Sequence, residues 1–254
     1  DPDGTSLNEG WFKGPFTITN YARNFYRPAY AQQVEWSFPI DYKTLHFDKP
    51  IPETQALMKI IQEHRPDFIY SLHNAGFGGC YWYLTGGDEG LYQQLYHQPK
   101  EEGIPLSLGE PEMPYCVEVY PAVYESVGVI PHYDYLEKFR PGQDPTQIIT
   151  SGTSSDEYAR LLLKKPVYSL INEMPYFFDP RVDDTSLTQR SRVDCILENF
   201  NQSEAIAKLL QELYEKLKPV ITTWNPFFLS MEDRVKGNVD QEANREWARS
   251  NPES

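Results

Sequence analysis

The chain has 254 residues, 40% hydrophobic and 24% charged, which is enough to bury one substantial core and too ordinary a composition for long disordered tracts. Its 23 basic and 37 acidic residues leave a net charge of −14, which argues against nucleic acid as a partner. No apolar run approaches the roughly 18 residues of a membrane span, so no membrane segment is expected.

Three cysteines, Cys80, Cys116 and Cys195, stand far apart with no Cys-x-x-Cys. That pattern indicates neither a disulfide framework nor a thiolate zinc site, and it suits a reducing cytoplasm. Aromatic residues reach 14%, with 18 tyrosines, as in proteins with large amphipathic contact surfaces. The sequence leaves the oligomeric state open.

In chain order, Asp1-Pro2-Asp3-Gly4 is a turn signature, and residues 8–15 continue rich in glycine and aromatics, so no regular element is expected before Thr17. Arg23 and Arg27 bracket Asn24, Phe25 and Tyr26; a guanidinium fork there suits a carboxylate, and a surface ion pair is the plainer alternative. Residues 29–52 lack a clear period and read as a long, partly ordered loop. Pro52, Glu53 in the first turn, and Leu57, Ile60 and Ile61 on one face predict a helix over 52–64.

Phe68, Ile69, Tyr70, Ser71 and Leu72 then form an apolar run between Pro66 and the glycines at 76, 78 and 79, read as a buried strand that delivers His73 at its carboxyl end. Ligands and catalytic groups collect at such strand ends, although a lone histidine is as often a packed one. Gly86-Gly87-Asp88 caps a helix to about residue 98 with Leu91 and Leu95 inward. Residues 104–145 read as proline-rich and irregular, with a short strand at 117–120 and a helical turn at 133–139. Residues 151–156 form a Ser/Thr/Gly turn cluster without the P-loop lysine pattern, and a helix is expected over 158–163.

A second apolar run, 167–171, ends in Asn172-Glu173 and is stopped by Pro175. Glu173 thus occupies the same kind of place as His73, and two strands ending in proton-transferring or metal-capable groups point to a shared site. The remainder, 181–254, is mainly helical, with amphipathic segments at 187–200 and 203–217 and a frayed tail from Asp240 to Ser254.

Taken in order, these motifs resemble the zinc metallocarboxypeptidases of the carboxypeptidase A type. That family carries an Asn-Pro-Asp-Gly turn, an Asn-x-x-Trp segment and an Asn-Arg-Asn-Trp segment, then a strand ending in a zinc-binding His and much later a strand ending in the catalytic Glu. Here the counterparts are Asp1-Pro2-Asp3-Gly4, Asn8 with Trp11, Ala22-Arg23-Asn24-Phe25, His73 and Glu173. The resemblance spans residues 1 to about 180. It implies a single α/β domain with a mixed, largely parallel sheet flanked by helices, and hydrolysis of a peptide or amide bond, in a substrate with a free carboxylate, by a zinc-activated water.

By that resemblance His73 is a Zn2+ ligand, Glu173 the general base and Arg23 the carboxylate anchor. Asn74, Ser155, Asp156 and Tyr158 are counted with the substrate-binding residues. Lys13 is the cation nearest the family's oxyanion-stabilising Arg, whose position holds Phe12; Ala22 replaces the Asn beside the anchor, and the family's mobile Tyr falls near Ile148, with Tyr158 the closest candidate. The family's other two zinc ligands form a His-x-x-Glu upstream of the opening turn, and His46, His64, His97 and His132 offer no replacement. The chain therefore reads as an N-terminally truncated zinc carboxypeptidase-like domain, inactive by itself. The alternatives are a metal-free, non-catalytic binding domain of the same fold, or a glycosidase pairing Glu173 with Glu110 or Glu112.

Overall fold

The computed structural model describes residues 2–179, 181, 182, 184–223, 225–236 and 242–252. The chain forms two compact units, one of Asp1–Gln33 with Leu187–Ser254 and one of Val34–Ser186.

The first unit opens with α1 (Pro2–Leu7) and α2 (Glu9–Phe12), where the sequence led us to expect no regular element, and continues with α3 (Ile18–Asn24). Asp1, first residue of the turn motif, lies outside the described residues. Asn8 explains the order: its amide donates to Gly4 O at 2.8 Å and Tyr26 O at 2.9 Å, and its Oδ1 accepts from Trp11 Nε1 and the Tyr26 amide, both at 2.9 Å. One buried side chain thus joins three stretches of short-range backbone that would otherwise be loop. Thr17 caps α3 by accepting from the Asn20 amide.

The second unit begins with a hairpin, β1 (Ile40–Tyr42) and β2 (Leu45–Phe47), inside the stretch read as loop. Lys43 sits at the turn with φ 50°. The helix over 52–64 is present as α4 (Pro52–His64), closed by Arg65 in the left-handed region. Its inner stripe is offset from the expected one: Thr54 and Ile61 are buried with Met58 packed beside them, while Leu57 and Ile60 are exposed. A threonine can line a core once its hydroxyl is paired, and Thr54 Oγ1 lies 2.6 Å from Ser37 Oγ.

A five-stranded sheet follows, built from β3 (Phe68–Phe77), β4 (Tyr81–Leu84), β5 (Glu118–Tyr120), β6 (Val123–Glu125) and β7 (Tyr168–Phe177), in the order β3-β7-β4-β6-β5. It is mixed: β3/β7 and β4/β6 are parallel, β7/β4 and β5/β6 antiparallel. Helices cover both faces. α5 (Glu89–Glu101), capped by Asp88, lies on the face of Trp82, whose indole donates to Leu95 O at 3.1 Å. α4 and α7 (Ser155–Leu163) pack with Ile69 and Val167 on the other. Between them, α6 (Val129–Phe139) is longer than the expected turn, because Glu157 of α7 accepts from the Val129 amide at 2.9 Å and caps a helix whose own N-cap, Gly128, has no side chain.

Two expectations about the key strands are corrected. β3 is not a buried strand but the sheet's edge, so it alternates, and Phe68, Tyr70 and Leu72 are exposed. Both β3 and β7 also run on past the residues taken as their ends. Pro175 does not stop β7, since beyond Glu173 only β3 pairs with it and the register slips at Gly76, which adopts φ 73°. Edges and bulges are where a strand tolerates proline.

The chain then returns to the first unit with α8 (Arg192–Leu217), α9 (Pro226–Lys236) and α10 (Glu242–Ser250). α8 is one helix instead of the expected two, as neither Gly nor Pro interrupts residues 200–203. Asp240, Gln241, Glu253 and Ser254 of the tail lie outside the described residues. The remainder is not frayed: Arg245 pairs with Glu204 of α8, and Ala248 is fully buried.

Candidate functional site

Parallel pairing of β3 with β7 puts His73 opposite Glu173, and antiparallel pairing of β7 with β4 puts Glu173 opposite Tyr81. Residues in one such row project from the same face of a sheet. His73 Nδ1 lies 3.1 Å from Glu173 Oε1. The ring's other nitrogen, Nε2, lies 3.3 Å from Ser71 Oγ, two residues earlier on the same face of β3. A neutral imidazole that donates from Nδ1 to Glu173 accepts from Ser71 at Nε2, so the two partners together fix ring and tautomer. The side chains of His73 and Glu173 are 30% and 12% exposed, which keeps the pair open to a ligand yet partly shielded from water.

The same face continues into an acidic, aromatic enclosure. Tyr83 donates to Glu112 Oε2 at 3.1 Å, and Tyr81, Tyr83 and Tyr124 pack edge to edge or tilted, with centroids 5.7–6.3 Å apart. Burial, reinforced by Glu112, holds the phenols of Tyr81 and Tyr83 far above their ordinary value. The Tyr124 phenol is pushed up to about 12, by burial first and by Glu118, Cys116 and Glu110 after it. All three stay protonated donors at any working pH.

The other residues singled out in the sequence are placed as follows. Asn74 bridges the strands by donating to Met174 O at 3.2 Å. Ser155 is buried at the first turn of α7, its amide and hydroxyl on Glu35 at 2.9 and 3.1 Å. Asp156 is 1% exposed, and its oxygens accept from Ser126, Ser154, Ser169 and Arg160. Tyr158 is 8% exposed against Phe38, their rings 5.1 Å apart. In this conformation those three serve the packing of α7. Lys13, ion-paired with Glu9, and exposed Arg23 belong to the other unit, so this unit does not bring them to His73.

Zinc was expected from the resemblance. Among the described residues, no three His, Cys, Asp or Glu side chains come together in a group able to hold a metal ion. His73 and Glu173 offer two donors where zinc takes three or four protein ligands. The described residues do not by themselves fit the ion.

Ser71 and Tyr81 were missed as neighbours of the pair, and Glu112 was named only as a partner of Glu173 in the glycosidase alternative. Ser71 was within reach, because a period of two puts residues 71 and 73 on one face. Tyr81 needed the register of an antiparallel partner and Glu112 the path of a loop, and neither is written locally. Compared with models of known protein families, with curated proteins and with solved structures, the chain matches none.

Proposed function

We propose that the second unit carries part of the catalytic centre of a peptide or amide hydrolase with a zinc carboxypeptidase-like fold, in which Glu173 is the general base. The observation that carries this reading is the His73–Glu173 contact, made by residues a hundred positions apart on paired parallel strands. Zinc belongs to the proposal as an ion bound at His73 with further donors from outside the described residues, and no step is assigned to it.

Glu173 takes a proton from the attacking water as oxygen adds to the substrate carbonyl. It then returns that proton to the departing nitrogen as the C–N bond breaks, leaving a carboxylate and a free amine. The Ser71–His73–Glu173 series has the order of a serine-hydrolase triad. Ser71, however, lies within a regular strand and not on the exposed turn that presents such a nucleophile, so its role is to orient the ring.

The test is release of free amine from a panel of peptides and acyl-amides, in the presence of zinc, by the protein expressed from its complete coding sequence. Hydrolysis that falls at least about a hundredfold in His73→Ala agrees with the proposal, on the scale of losing a catalytic group. Retained binding of those compounds with no hydrolysis of any would point to the non-catalytic binding domain.

A further inference from the structure

A cavity of about 220 Å³ is lined in part by β3, which carries His73, and by β4, which pairs with the strand of Glu173. Ala75, two residues beyond His73, and Tyr81, opposite Glu173, both belong to its wall. Phe77 and Tyr124 add aromatic faces, and the loop between α5 and β5 contributes Glu110 and Glu112. We infer that this cavity receives a cationic side chain of the substrate, an ammonium group on an aliphatic stem, next to the bond that is cut. The inference rests on the hydrolase reading for what happens to the substrate, though not for its binding.

Three features converge on a cation. Among the described residues that line the cavity, Glu110 and Glu112 are the two with carboxyl groups and none is a lysine, arginine or histidine, so the wall attracts an entering ammonium group and sets no like charge against it. The aromatic faces suit both parts of such a side chain, apolar contact for the methylene stem and cation–π attraction for the head. Ring against ring, Tyr81, Tyr83 and Tyr124 hold one another in place, and the Tyr83 hydroxyl anchors Glu112, so the receiving groups are set before the ligand arrives. The volume is below the roughly 300–1,000 Å³ of a drug-sized site and matches one side chain better than an extended ligand.

The experiment compares dissociation constants of Nα-acetyl-lysine methylamide and Nα-acetyl-norleucine methylamide, nearly isosteric and differing in charge, by NMR titration of the protein. We expect lysine to bind at least tenfold more tightly, Glu110→Gln with Glu112→Gln to erase the difference, and Glu173→Gln to leave a clear preference. Since Glu112 is tied to Tyr83, Glu110→Gln alone, at an exposed position, is a second variant should the double one misfold, and it should at least halve the preference. Equal binding of the two compounds, binding of neither, or a preference untouched by the Gln variants would overturn the inference. Hydrolysis without lysine preference removes this inference only; lysine preference without hydrolysis removes the proposed reaction only.

Discussion

At His73 two partners hold one ring, Glu173 at Nδ1 at 3.1 Å and Ser71 at Nε2 at the longer 3.3 Å. Ser71→Ala should therefore lower hydrolysis by no more than about tenfold, the worth of one net hydrogen bond of about 1 kcal/mol. A loss near a thousandfold in steady-state turnover would make Ser71 a nucleophile. A second histidine reports on stability. Burial, with Arg140 beside it, lowers the His132 pKa to about 4, and its ring stacks on Tyr115 at 5.4 Å. Its folded pKa lies below the unfolded value of about 6.5, so the neutral ring's contribution is complete above that value and is lost as pH falls towards 4. Denaturant unfolding should show a decline of at most about 3 kcal/mol across that window, flattened in His132→Phe. The chemistry of single residues was legible where the type is rare, as at His73 and Glu173. It was not legible at Asp156, whose carboxylate looks like a pocket group in sequence and is taken up by three serine hydroxyls and an arginine in the fold.

Among the elements, helices with local signals were readable, α5 from Asp88 and α4 from Pro52, whereas α7 begins at Ser155 under a Ser154 cap, inside the stretch read as a turn cluster and ahead of the expected start at 158. Ser154→Ala should cost about 1 kcal/mol in a thermal or denaturant melt, as the loss of a cap does. What the sequence hid was tertiary. Nothing near Gly128 shows that Glu157 will cap α6, and nothing near Gly76 shows that β3 and β7 will slip past each other and admit Pro175. The glycines divide on the same principle. A Cβ on Gly79 would fall 2.2–2.3 Å from the backbone of Leu106 and Ser107, where Cys80 bridges to Leu106, whereas one on Gly86 meets nothing closer than the Tyr168 ring at 3.5 Å. Gly79→Ala should destabilise by about 3 kcal/mol, the upper end of overpacking costs, because backbone cannot step aside. Gly86→Ala should stay within about 1 kcal/mol of neutral. Equal melting temperatures for the two variants would refute the close approach at Gly79.

Across the whole molecule, the α/β class with a mixed sheet and flanking helices agrees with the sequence reading, while the division into two units came from contacts that join residues near both ends of the chain. Nearly all of the net charge of −14 falls on the second unit, where 23 acidic residues stand against 11 basic ones, and Glu173, Glu110 and Glu112 are part of that excess. Because the described residues gather one imidazole and one carboxylate at the pair, the 254-residue polypeptide should keep no stoichiometric zinc after dialysis against a weak chelator, and one zinc retained per chain would mean that further side chains of these 254 residues complete the site. The reaction itself turns on Glu173. The most direct measurement is steady-state amine release by the protein expressed from its complete coding sequence, with Glu173→Gln beside the unaltered protein at equal zinc content. Gln keeps the shape of the side chain and cannot take up the water's proton, so kcat should fall by a factor of about 10²–10⁴. A Glu173→Gln protein that hydrolyses the same peptides within tenfold of the unaltered rate would contradict the account.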